Sequence, residues 1–354
     1  MTAITEHHVV YAGDKKINYL AAGPVNGPLI LFIHGWPGTA ITWKAQIDAF
    51  AALGFRAIAP DMPGYGKSTA RRVVEDYSQE ALVEGMMALL AGTGHHVGIW
   101  VGHDWGAGVT SSVARQHPEA VKALINLCVP YHTIELGWDG FLPLVNREIY
   151  PADEYEFGQW DYMRNWEENF EKTIQWCDQD PAGLCKAFLQ RTSQPSNRFA
   201  PLGLVRKNGW LGGIPKPPAV DATGPPILPA DVFDSFAADM QRTGFWPGTA
   251  YYLNHERNAE YNGKAPSGGR LKQPVLFVHA LWDTVCDTKT SRLVEPMREF
   301  CSNLTEVTVE AGHWVQFEKP GYVNAALFRF IVDELPSEWP GFWDSGYTKK
   351  KLVL

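Results

Sequence analysis

The sequence contains no apolar run approaching the ~18 residues that a membrane-spanning helix requires. It carries no basic excess either: 31 Lys and Arg stand against 39 Asp and Glu, a formal charge of −8. A nucleic-acid binder would show the opposite balance, gathered into a patch or stripe. Cysteine is scarce and scattered, at Cys128, Cys177, Cys185, Cys286 and Cys301. An odd number without Cys-x-x-Cys spacing predicts free thiols in a reducing compartment. The start, MTAITEHHVVY, has no basic segment followed by an apolar one, and the end, KKKLVL, matches neither a peroxisomal tripeptide nor a prenylation box. A cytoplasmic protein is expected. No repeat or low-complexity tract occurs, and Gly64-Tyr65-Gly66-Lys67-Ser68 lacks the spacing of a phosphate-binding loop.

What is present is a globular composition, 45% hydrophobic over 354 residues, with an unusual 14 tryptophans that hint at an aromatic cavity. Residues 8–22 alternate as an edge hairpin would. Six apolar runs closed by turn residues then follow, beginning at Pro28, Arg56, His95, Val121, Pro274 and Leu304. Helix-compatible segments separate them, so a mostly parallel sheet with helices on both faces is predicted. Between about 135 and 265 the alternation stops. That stretch is aromatic and helical, then Pro/Gly-rich over 195–229, then helical again. It reads as a helical lid inserted in one core: core 1–135, cap 136–264, core 265–354.

The motif Gly102-His103-Asp104-Trp105-Gly106 places Asp104 on a strand-to-helix turn, with small residues where the turn leaves no room. An Asp there could merely cap the helix, but the flanking glycines favour a nucleophile. Asp283 ends the fifth run, with Asp287 as rival acid. His313, in Ala311-Gly312-His313-Trp314, ends the sixth. The other histidines, His34 included, are expected to be structural.

HGWPGT, DMPGYGKS, GHDWGAG, ALWD and AGHWVQFEKP, in that order over nearly the whole chain, resemble the α/β-hydrolase superfamily. The resemblance is to its Asp-nucleophile branch of soluble epoxide hydrolases and haloalkane dehalogenases. It implies an α/β-hydrolase core with an inserted helical cap, and no cofactor or metal. It further implies a triad of Asp104, Asp283 and His313, with the amides of Trp36 and Trp105 as oxyanion hole.

A carboxylate nucleophile has a chemical meaning of its own. Serine attacking a saturated carbon would leave an inert ether. A carboxylate leaves an ester whose own carbonyl water can hydrolyse, so covalent catalysis completes its cycle. His313 would activate that water, oriented by Asp283. An alkoxide leaving group also needs an acid, which epoxide hydrolases supply as two cap tyrosines. Trp160-Asp161-Tyr162 and Gly244-Phe245-Trp246…Tyr251-Tyr252-Leu253-Asn254 resemble the two segments, which implies Tyr162 and Tyr252. Met163 departs from the Gln usual in the family, so Tyr155 and Tyr150 stay open as alternatives to Tyr162. Trp160, Trp166 and Trp314 are expected in the substrate pocket. The expected partners are an apolar epoxide and water, acting on a monomer or homodimer. A dehalogenase, in which the Trp105 indole would hold a halide, and an epoxide-opening cyclase of the same fold are the alternatives.

Overall fold

The computed structural model describes residues 3–224 and 226–340. The carboxy-terminal residues in which no address signal was read lie outside them.

Eight strands form one sheet: β1 Thr5–Tyr11, β2 Lys15–Ala22, β3 Leu29–Ile33, β4 Arg56–Pro60, β5 Gly98–His103, β6 Val121–Leu127, β7 Val275–Ala280 and β8 Leu304–Val309. Their spatial order is β1-β2-β4-β3-β5-β6-β7-β8. The first two strands pair as the expected hairpin and β2 pairs antiparallel with β4. Every other pairing is parallel. Every residue of β3, β5 and β7 is buried, which is why these strands read as unbroken apolar runs rather than as alternation. The edge strand β1 is mostly exposed and carries Glu6, His7 and His8, a polar border that resists pairing with other chains.

From β3 the chain passes through α1 (Lys44–Ala52) to β4 on one side, and from β5 through α3 (Trp105–Gln116) to β6 on the other. Right-handed crossovers in opposite directions put these helices on opposite faces. α2 (Gln79–Gly92) packs on α3, and the last helix, Pro320–Glu334, packs on α1. The strand order reverses between β3 and β5, and ligands of open α/β sheets bind at the carboxyl ends of strands beside such a reversal. Trp36, Asp104, Asp283 and His313 all follow carboxyl ends of strands, those of β3, β5, β7 and β8.

Among the described residues no strand lies between β6 and β7. The principal helices there are α4 (Asp161–Cys177), α5 (Pro181–Phe188), α6 (Ala230–Thr243) and α7 (His255–Gly263). α4 buries Tyr162, Met163, Trp166, Ile174 and Cys177 along its inner stripe and loses helical geometry at Asn169. Asp180 caps α5 by accepting the Gly183 amide at 2.7 Å. No helix among the described residues is long and apolar enough to cross a membrane.

The turn at Asp104 leaves no space around its glycines. A Cβ on Gly106 would stand 2.1 Å from the Ile33 carbonyl oxygen, and one on Gly102 would stand 2.5 Å from that of Gly106. Gly106→Ala is expected to lower stability by about 1–3 kcal/mol, as overpacking does, with a matching fall in the urea midpoint. An unchanged midpoint would show that the turn can shift.

Candidate active site

Asp104 sits between β5 and α3 with φ +55° and ψ −127°, a conformation a non-glycine residue holds only when its surroundings impose it. It occupies the position of a helix cap, yet its side chain makes no cap hydrogen bond. The carboxylate turns instead toward the neighbouring strand ends. The Trp36 amide donates to Asp104 Oδ1 at 2.6 Å, and His313 Nε2 lies 3.6 Å from Oδ2. Trp105 opens α3, so its amide is one of those a helix leaves without an internal acceptor.

On its far side His313 Nδ1 donates to Asp283 Oδ2 at 2.8 Å. Asp283 Oδ1 accepts the amides of Val285 and Cys286 at 2.8 and 2.9 Å. Burial alone would raise the pKa of Asp283. The facing His313 and these hydrogen bonds outweigh it and hold the carboxyl below its ordinary range. Burial likewise disfavours a charged His313, but Asp283 and Asp104 together raise its pKa well above that of a free imidazole. Asp287, the rival acid, is committed elsewhere: it accepts the amides of Lys289 and Thr290 at 2.9 and 3.0 Å and the Thr290 hydroxyl.

The other histidines near the site brace loops. His34 Nε2 accepts the Met62 amide at 3.0 Å, and burial lowers its pKa to about 4. His103 Nε2 meets the His313 carbonyl at 2.7 Å, and the Cys128 thiol donates to the same carbonyl at 3.2 Å. Ligating atoms of Asp283, Cys286 and His313 lie within 4.8 Å of one another, as do those of His103, Cys128 and His313. Both sets include His313, whose Nδ1 serves Asp283.

A cavity of about 210 Å³ lies over Asp104 and His313. Tyr162 and Tyr252 face it from the cap side, both buried, with ring centroids 5.9 Å apart. Burial first, and then charge from neighbours that include Asp104, raises both phenol pKa values well above 10.0, so each keeps its proton. Tyr251 is spent on the Pro63 carbonyl at 2.8 Å. Tyr150 accepts the Ala200 amide at 2.6 Å, Tyr155 packs edge-on against Tyr150 and Phe199, and neither lines the cavity.

The expected pocket tryptophans separate. Trp314 lines the cavity. Trp166 stands behind its wall, touching the rings of Trp36, Trp210 and Tyr252. Trp160 does not line the cavity; it is buried edge-on against Phe141 at 4.7 Å. The rest of the lining was not foreseen. Trp282, Thr284 and Val285 flank Asp283 in the chain, and that adjacency could have found them. Phe188, Thr192, Leu202 and Trp210 come from the end of α5 and the irregular stretch after it, where no periodicity marks which side chains point inward.

Residues 28–320 match the model of the family described as alpha/beta hydrolase fold. The chain belongs to that family. Epoxide hydrolase A of Mycobacterium tuberculosis is 29% identical over 94% of this chain and 98% of its own length. Bifunctional epoxide hydrolase 2 of Rattus norvegicus is also 29% identical, but this chain spans only 56% of that protein. Among solved structures, epoxide hydrolase A from Mycobacterium thermoresistibile aligns with a TM-score of 0.74 at 27% identity, covering 93% of this chain and 98% of that one. An epoxide hydrolase from an endophytic Streptomyces aligns with a TM-score of 0.73 at 25% identity, covering 94% and 96%. The α/β-hydrolase fold with its mostly parallel sheet is thus shared along nearly the full length.

If Asp283 orients His313, Asp283→Asn should keep the fold and lose roughly 10⁴ in turnover, the scale seen when a triad acid is made neutral. The stability contribution of Asp283 should also follow pH. Its carboxyl is held below the ordinary value, so that contribution is present above the unfolded pKa and fades as pH falls through the folded one. Comparing acid unfolding of the wild type and the Asn variant measures it.

Proposed function

We propose that this protein is an epoxide hydrolase that opens an apolar epoxide to a vicinal diol through an ester on Asp104. The observation that carries the reading is the set of groups around the cavity: a carboxylate held by the Trp36 amide and facing His313, with two protonated tyrosines across from it. The names of the relatives agree with it.

In the first step an Asp104 oxygen attacks an epoxide carbon from the side opposite the C–O bond that breaks. The leaving alkoxide is received by the hydroxyls of Tyr162 and Tyr252, one of which gives it a proton. Esterification removes the negative charge of Asp104, one of the two that keep His313 protonated. The imidazole pKa then falls, and His313 gives up its proton, which restores the phenol that protonated the alkoxide and leaves the imidazole free to act as a base. His313 takes a proton from water, and the hydroxide adds to the ester carbonyl. The resulting oxyanion is held by the Trp36 and Trp105 amides, a contact whose loss typically costs roughly 10²–10³ in rate. Collapse frees the diol and restores the Asp104 carboxylate.

The dehalogenase reading draws on one observation, the buried Trp105 indole N–H beside Tyr252. A halide wants several converging N–H groups, however, and the Trp36 indole is already given to Thr249 Oγ1 at 2.9 Å. Tyrosine hydroxyls serve an alkoxide, which needs a proton, far more than a chloride, which does not. A cyclase of the same fold would use the same first step, with an internal hydroxyl of the substrate in place of water. The five cysteines, all free and buried, support a cytoplasmic enzyme. Every group named comes from one chain, so monomer and homodimer serve the chemistry equally.

Single turnover with styrene oxide in ¹⁸O-water should give a first diol carrying enzyme-derived ¹⁶O, while the peptide containing Asp104 gains ¹⁸O. A diol labelled from the outset would mean direct attack by water and overturn the ester. Replacing both tyrosines by Phe should slow ester formation by about 10²–10⁴, each single variant less. Undiminished ester formation in the double variant would remove them from the role.

A further inference from the structure

The histidine loop is stitched to the cap at one place. The Trp314 indole donates to the Phe188 carbonyl at 2.9 Å, and the Thr192 amide donates to Glu318 Oε2 at 3.3 Å. Arg191 Nη1 donates to the Glu318 carbonyl at 3.3 Å. Phe188, Thr192, His313 and Trp314 all line the cavity. Glu318 itself does not reach it. Its carboxyl is buried, with Oε1 against the Gly312 backbone, the residue before His313: a Cβ added to Gly312 would stand 2.9 Å from that oxygen and 2.0 Å from Thr192 Oγ1.

A buried carboxyl is costly unless several donors converge on it. Here the Thr192 amide donates to Oε2 while Oε1 lacks a hydrogen-bond partner, and burial raises the pKa of Glu318. Packing alone would be served better by an apolar side chain. An acceptor at this point instead holds two backbone segments at a fixed spacing, one carrying His313 and the other forming the cavity wall. The segment after Leu189 has no helix or strand to hold it until Pro201, so it depends on such ties.

We propose that Glu318 is a positioning residue for His313, fixing the histidine loop against the Phe188–Thr192 wall of the cap. Ester formation needs Asp104 and the tyrosines, whereas ester hydrolysis needs His313 in place. Loss of the tie therefore falls on the second half-reaction. The proposal rests on the two-step reading above.

The test is transient kinetics of the full-length protein with styrene oxide, measuring ester formation and ester hydrolysis separately in the wild type, Glu318→Ala and Glu318→Gln. Hydrolysis should fall by about 10- to 100-fold in the Ala variant, as loop misplacement does, with ester formation retained and the Asp104 ester accumulating. The Gln variant has nearly the same volume, but its neutral carbonyl is a weaker acceptor for the Thr192 amide. It should show a smaller fall in the same step and serves as the folded comparison. If both half-reactions fall together, or neither changes in either variant, Glu318 only supports the fold and the proposal is overturned. If the wild type itself forms no ester, the two-step reading fails, and this proposal fails with it.

Discussion

One imidazole between two carboxylates governs this site. Asp283 holds His313 from behind through a short hydrogen bond, and Asp104 faces it across a longer gap. The unequal spacing separates the two acids. The tightly bound one is fixed by backbone amides, while the looser one faces the cavity beside the Trp36 amide. Much of the surrounding fold maintains that inequality. The strained turn at Asp104, the loop after β7 and the brace from His103 and Cys128 on the His313 carbonyl each set one side of it.

The core and the candidate residues at its strand ends were legible because the sheet imposes strict local demands. A strand buried on both faces must be an apolar run, and a turn that forces a side chain to positive φ between a strand and a helix must be walled with glycine. Those demands left Asp104, Asp283 and His313 at readable strand ends. The cap imposes weaker ones. Tyr162 and Trp166 lie one turn apart on α4 and face the same way, but Trp160 precedes the helix and turns into the core beside Phe141. Sequence proximity to a tyrosine did not carry the same orientation. The segment from 188 to 210 supplies four cavity residues without any repeat in its pattern. Its conformation is set by ties such as those to Trp314 and Glu318, which come from more than a hundred residues away.

The same contrast explains where polar groups lie in the cavity. Its walls are largely aromatic, and its polar groups converge toward Asp104. Low polarity raises the cost of any charge left unpaired, so the phenols stay neutral and the imidazole answers strongly to the charge of its neighbours.

Trp36 joins the two halves through different atoms. Its main-chain N–H binds Asp104, and its indole N–H reaches Thr249 in the segment that leads to Tyr252. A movement that carried Tyr252 away from the cavity would pull on the residue whose amide holds Asp104. The placement of the Asp104 carboxylate and the closure of the cavity wall are thereby mechanically linked through one residue.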